Sequence, residues 1–415
     1  MSEWKTTRIR DVAEVYDGPH ATPKKVEKGP WYLSISSLRR GQLDLSKSVH
    51  ISEVDFPKWT RRVAPQVGDT LFSYETRLGQ AAYWALEAEA ALGRRMGLLR
   101  PKRGLIEPRY LCYAYLGPQF QEVIRQHTLS GATVDRIPVG EMPNWPILLP
   151  SLETQRAVLS VLNSIDGLIE NNRRRIEVLE EMARAIYREW FVKFRFPGHQ
   201  DVRLVDSSMG RIPEGWTART LNGIVSVQSA GVEPASLSPE TPAIGLEHIP
   251  RRQITLDNWG TAANQGSRKS RFQRGDVLFG KIRPYFHKVS VAPVSGICST
   301  DAIVLRPDAV NWGQAVLTIS SDSFVVHAAQ TSNGTKMPRA DWKVLGKWQV
   351  AVPPAELAGE FTALVRDQLA LAETLMFENR RLVELRDRLL PKLVTGQIDV
   401  SGLNLEAADA KEEAG

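Results

Sequence analysis

The chain has 415 residues, 42% of them hydrophobic and 24% charged, too long for one ordinary core and too apolar for a disordered chain, so two or three globular domains are expected. Its 53 Lys and Arg against 47 Asp and Glu leave a net charge of +6, which suits a polyanionic partner without demanding one. The two cysteines, Cys112 and Cys298, form no CxxC pair, which excludes a zinc site and points to a reducing compartment. No apolar run approaches the roughly 18 residues of a membrane span and the opening MSEWKTTRIR is no export signal, so a cytoplasmic location without membrane contact is expected.

In chain order, the first signals are short strands. Residues 31–35 (WYLSI) form an apolar run, and Gly68-Asp69 marks a turn into TLFS. Residues 107–126 read as helix with a Gly-Pro break at Gly117-Pro118. A long helix follows, with apolar residues at alternating steps of four and three: Ile165, Ile169, Ile176 and Leu179 lie on one seam, interrupted by Asn172. Residues 196–214, with FPGHQ and SSMGRIPEG, read as a polar linker. Beyond it the signals recur. Residues 243–246 are strand-like, Gly275-Asp276 turns into VLFG, residues 310–329 are a less distinct helical stretch, and a second charged helix carries Leu371, Leu375, Leu382 and Leu385 on its seam with Glu378 as the interruption. The acidic end DVSGLNLEAADAKEEAG reads as a frayed tail.

The recurrence is a tandem duplication. Gly68-Asp69 and Gly275-Asp276 are 207 residues apart, the two seams match at 206, and Thr133 and Thr335 of two Gly-Thr loops at 202. A period near 207 far exceeds that of solenoid repeats. Each copy is a globular domain followed by a long helix. A helix over residues 152–194 would be on the order of 60 Å long at 1.5 Å per residue, more than a domain of this size can cover. The shared seam therefore predicts that the helices pack antiparallel, with a globular domain at either end. The expected division is a domain over 1–151, a helix over 152–195, the linker over 196–214, a domain over 215–353, a helix over 354–396 and a tail over 397–415.

Catalytic signals are weak. Gly275 to Ile282 (GDVLFGKI) fits a phosphate-binding loop at all but its last position. Ile282, however, stands where a hydroxyl would hold magnesium, and Val277, Leu278 and Phe279 are strand-like where exposed amides should wrap phosphate. The seven histidines are scattered without paired spacing, so no metal site is expected. Cations near the turns are better represented. Arg77 and Arg136 in the first copy, and Lys281, Arg283, Lys336 and Arg339 in the second, join Thr133 and Thr335 as candidate DNA contacts. Arginine reads guanine edges bidentately, and lysine contacts phosphate as a point charge.

The order domain, helix, domain, helix, with LPSLETQR opening the first helix, GDVLFGKIRP at Gly275, SNGTKMPRA at Ser332 and LLPKLVTGQI near the end, resembles the DNA specificity subunit of type I restriction-modification systems over almost the whole chain. The second helix departs from the family pattern in its entry, VPPAELAGEF. The resemblance implies an α+β protein of two target recognition domains joined by two antiparallel coiled-coil helices with pseudo-twofold symmetry. It implies a non-catalytic reader of bipartite double-stranded DNA, with the helices as a ruler for the unread spacer. The implied partners are two methyltransferase subunits and the motor-nuclease restriction subunits. The chain itself would hold no cofactor; S-adenosylmethionine would come with the methyltransferase, ATP and magnesium with the restriction subunit.

Overall fold

The computed structural model describes residues 4–130, 134–334 and 336–400. The chain divides into two compact units, Met1–Gly167 with Val383–Gly415, and Leu168–Leu382. Each is built on the same plan.

In the first unit, β1 (Lys5–Arg8) leads into β2 (Ala13–Asp17), followed by β3 (Thr70–Ser73), β4 (Ala81–Tyr83) and β5 (Met96–Pro101). The antiparallel sheet has the order β2-β5-β3-β4. Every residue of β3 is buried, as a central strand requires. Two helices cover the sheet, α1 (Pro108–Leu116) and α2 (Pro118–His127). The break falls at Gly117, as the Gly-Pro pair predicts: Pro118 starts a new helix because its missing N–H costs nothing in a first turn. Strand β6 (Pro146–Leu149) returns to pair with β1 and delivers the chain into the first long helix, α3 (Leu152–Tyr187). A π-turn, Arg188–Val192, ends that helix.

The second unit repeats the series: β7 (Thr217–Thr220), β8 (Val225–Gln228), β9 (Val277–Gly280), β10 (Val289–Val291), β11 (Ala302–Pro307), α4 (Trp312–Ile319), α5 (Asp322–Gln330), β12 (Gln349–Val352) and the second long helix α6 (Ala355–Leu393). The sheet order is β8-β11-β9-β10, and β7 pairs with β12. Antiparallel pairing in both main sheets makes the fold α+β. Residues 196–214, inside the second unit, are not the bare linker expected from their polar sequence. Leu204–Ser207 and Gly210–Pro213 form a hairpin, and Phe196 and Ile212 bury their side chains in the second unit's core. The Gly210 turn residue takes φ 101°, which glycine adopts freely.

The duplicated Gly-Asp turn has a structural purpose. Gly68 (φ 104°) and Gly275 (φ 89°) sit in the left-handed region just before the central strands. Asp69 accepts from Gln66 N and holds Arg100 of β5 through two oxygens, at 3.0 and 2.8 Å. Asp276 accepts from Gln273 N and holds Arg306 of β11 in the same way, at 2.7 and 2.8 Å. This also disposes of the phosphate-loop resemblance. Val277–Gly280 is a fully buried strand with partners on both sides, so its amides are committed to the sheet.

Each unit contains part of both long helices, and within each unit the two parts run antiparallel. In the first, Arg386 of α6 bonds Asp166 of α3, and Leu390 and Leu393 join Ala157, Val158 and Leu162 in one core. In the second, Trp190 and Phe191 after α3 pack on Phe361 near the start of α6, with ring centroids 5.3 and 4.6 Å apart. The α3 seam is as expected: Ile165, Ile169 and Asn172 are buried, Ile176 and Leu179 partly so. The α6 seam needs correction. Leu375 is buried and Leu382 half-buried, but Leu371, Leu385 and Glu378 face outward, the two leucines 43% and 45% exposed. The buried stripe is Val365, Leu369, Ala372, Met376, Arg386, Leu390 and Leu393, displaced by one residue. The helices therefore repeat at 207 residues, as the Gly-Asp turns do, pairing Val158 with Val365, Leu162 with Leu369 and Ile169 with Met376. The equivalent of Asn172 is Asn379, whose Nδ2 donates to Ile169 O at 3.2 Å. Leucines on the edge of a broad apolar stripe outscore Ala372, Asn379 and Arg386, residues that are seated by their partners and not by their hydrophobicity.

Candidate nucleic-acid interface

In both units the loop after the central strand is clamped by the arms of the Gly-Thr loop. In the first, Leu129 and Arg136 exchange backbone hydrogen bonds at 2.9 and 3.1 Å, Arg136 bridges to Glu75, and Ile137 N donates to Tyr74 O at 2.8 Å. In the second, Asn333 and Arg339 exchange bonds at 3.0 and 2.9 Å, Arg339 bridges to Ile282, and Ala340 N donates to Lys281 O at 2.9 Å. Glu75 and Ile282 are 207 residues apart, so the duplication extends to the loops.

The next residue is left-handed in each copy: Thr76 at φ 70° and Arg283 at φ 49°. A second pair does the same, Arg40 at φ 41° and Arg252 at φ 60°. Both adjoin the end of that same loop, Arg40 N donating to Gln80 Oε1 at 3.4 Å and Arg252 N to His287 O at 2.9 Å. Such backbone conformations cost about 1–3 kcal/mol each for a residue with a side chain and cluster at functional sites. Two of them at corresponding places in two units indicate loops held in one shape by their surroundings.

Residues 1–181 match the family model described as the type I restriction modification DNA specificity domain. The chain is 22% identical over 421 residues to the type I restriction enzyme MjaIX specificity subunit of Methanocaldococcus jannaschii, covering 97% of this chain and 95% of that one. It is 21% identical over 476 residues to the HindI specificity subunit of Haemophilus influenzae, covering 96% and 100%. The chain is thus similar to type I specificity subunits along almost its whole length. The crystal structure of the S subunit of a type I restriction-modification system from M. genitalium shares its fold, with a TM-score of 0.50 at 14% identity over 94% of this chain and 96% of that one.

Within this fold, the candidate contact residues separate into two groups. Arg136, Lys336 and Arg339 are exposed on the clamped loops. Arg339 Nη2 lies 3.9 Å from Asp301, too far and too exposed to bind it firmly. Lys281 and Arg283 are half-buried. Arg283 N donates to Pro338 O at 2.8 Å, while its buried Nε finds no partner among the described residues. Arg77 belongs elsewhere: its Nη1 donates to Ile35 O at 2.7 Å, tying two loops of its own unit together. Thr133 and Thr335 lie outside the described residues.

Sequence reasoning missed several residues. Arg95, left-handed at φ 72°, pairs with Glu75 at 3.2 Å and donates to Thr76 Oγ1 at 3.1 Å, bracing the first unit's loop. Arg251 lies over the Phe286 ring at 4.3 Å in the second. Nothing local in the sequence marks either residue. No helix is long and apolar enough to cross a membrane among the described residues.

Proposed function

We propose that the chain is the DNA-reading subunit of a type I restriction-modification complex. Each unit reads one half of a bipartite duplex target through its clamped loops, and the long helices set the unread spacer between the halves. The carrying observation is the duplication of one braced, cation-bearing loop pair, with Arg136 in one unit and Lys336 and Arg339 in the other left exposed on it. Cations on loops fixed by a scaffold meet phosphates and base edges without an ordering cost at binding.

Chemistry is supplied by partners in this reading. Two methyltransferase subunits would bring S-adenosylmethionine for adenine methylation, and restriction subunits ATP and magnesium. Their docking surface would be the outward faces of the helices, where Val178 and Met182 of α3 and Leu364, Leu371 and Leu385 of α6 are exposed. Large side chains exposed at these positions suit cover by another protein. The test is the binding of the full chain to duplex DNA as salt rises. Affinity should fall steeply from 50 to 200 mM salt, with a slope reduced by about one for each phosphate-contacting cation removed. Binding that ignores salt would contradict the reading.

A further inference from the structure

Beside the exposed cations of the second unit stands an exposed aromatic ring. Tyr285 is 55% exposed on a single turn, Pro284–Phe286, flanked by two left-handed residues, Arg283 at φ 49° and His287 at φ 52°. The turn is fastened at each side. Arg283 N donates to Pro338 O at 2.8 Å, His287 Nε2 bonds Ser320 O at 2.9 Å, and Arg252 N donates to His287 O at 2.9 Å. Phe286 packs edge-on to Tyr285, with centroids 4.9 Å apart, and takes the Arg251 guanidinium over its ring at 4.3 Å. Burial lowers the His287 pKa below its ordinary value, so the fastening imidazole is neutral near pH 7.

A phenol ring propped outward by strained backbone gains nothing for the fold. Removing it would uncover only the edge of Phe286, since Pro284 is buried and Phe286 is already half-buried. The segment bonded to this turn carries Lys336, Met337 and Arg339, all exposed, Met337 by 49%. Apolar tips ringed by cations match a nucleic acid, whose phosphates take the charges and whose base faces take the ring. A protein partner with an acidic rim would satisfy the cations equally well but offers no reason for a flat ring on a fixed turn. The equivalent position in the first unit, 207 residues earlier, is Leu78, followed by Gly79.

We infer that Tyr285 is a base-contacting residue of the second unit, stacking on or wedging into one base step of the half-site that this unit reads. The inference rests on the DNA-reading function proposed above and adds an asymmetry to it, since the equivalent position of the other unit is Leu78.

The test uses the full chain and a duplex carrying the bipartite sequence found by methylome sequencing of the host, with 2-aminopurine placed in turn at each position of the second unit's half-site. The wild type should raise fluorescence at one step, Tyr285→Phe should preserve the rise, and Tyr285→Ala should abolish it. Tyr285→Ala should also cost roughly ten- to a hundredfold in affinity for the cognate duplex, in the range of one lost base stack, with the salt slope unchanged. Thermal melting of the variant should match the wild type, because the ring is exposed. Equal fluorescence and affinity in Tyr285→Ala and wild type would overturn the inference while leaving DNA reading intact. A wild-type chain that fails to bind the duplex at all would overturn both.

Discussion

The network around Asp166 gives the most exacting test of how the helices are seated on the first unit. Asp166 of α3 is 7% exposed and accepts from Tyr113 Oη at 2.5 Å, Arg109 at 3.0 Å and Arg386 of α6 at 3.1 Å. Arg386 is 5% exposed and also bonds Asp387 at 3.0 Å. Burial pulls the Arg386 pKa down, but Asp166 and Asp387 outweigh that and hold it above the ordinary arginine value, so the guanidinium stays charged. Asp166→Ala leaves this charge buried with one partner of two. Breaking a buried pair from one side costs about 3–5 kcal/mol; the surviving Asp387 contact places the expectation near the lower end, about 3 kcal/mol. At roughly 2–4 °C per kcal/mol for a unit of this size, the first unit should melt about 6–12 °C lower. The assay is differential scanning calorimetry of the full chain, where the units can melt separately. The double variant Asp166→Ala/Arg386→Met, which removes the charge with its partner, should recover most of the loss. A double variant as unstable as Asp166→Ala alone would refute the claim that uncompensated charge is the source.

Other expectations follow from the same interior. Asn172 Nδ2 is buried and has no partner among the described residues, whereas Asn379, whose Oδ1 is likewise buried without one, donates through Nδ2 to Ile169 O. Asn172→Leu should therefore raise stability by about 1 kcal/mol, as removal of an unsatisfied buried amide does, while Asn379→Leu should not; calorimetry in which Asn172→Leu melts lower would contradict this. Burial pushes the thiols of Cys112 and Cys298 up to about 12. At pH 8 the native chain should then resist iodoacetamide while urea-unfolded chain takes up both equivalents by mass spectrometry, and fast native labelling would contradict the burial.

Much of the fold is legible in the sequence wherever a local rule acts without competition. The Gly117-Pro118 break, the Gly-Asp turns into buried strands and the Ile165–Ile169 seam are set by chain stereochemistry and burial period, and the structure has them all. The α6 register was not legible because its seam contains Asn379 and Arg386, which are held by Ile169 O and Asp166 from the other helix. Residues 204–213 read as linker because their hairpin is stabilised by pairing, with only Ile212 and Pro213 buried. The candidate site divides along the same line. Residue type and proximity to turns put forward Arg136, Lys336 and Arg339, which are exposed, and equally Arg77, whose guanidinium is turned to Ile35 O. Arg283 is already among the residues chosen beside the turns, whereas Tyr285 and the left-handed backbone of Thr76 are visible only once the backbone is known.

The central claim, two units each reading one half of a split target, is tested most directly by methylome sequencing of a host in which residues 1–150 of the chain are exchanged for the corresponding domain of another specificity subunit. The account predicts a bipartite methyladenine motif in which one half-site is new, and the other half-site and the spacer length are unchanged. Alteration of both half-sites by that single exchange would contradict independent reading by the two units.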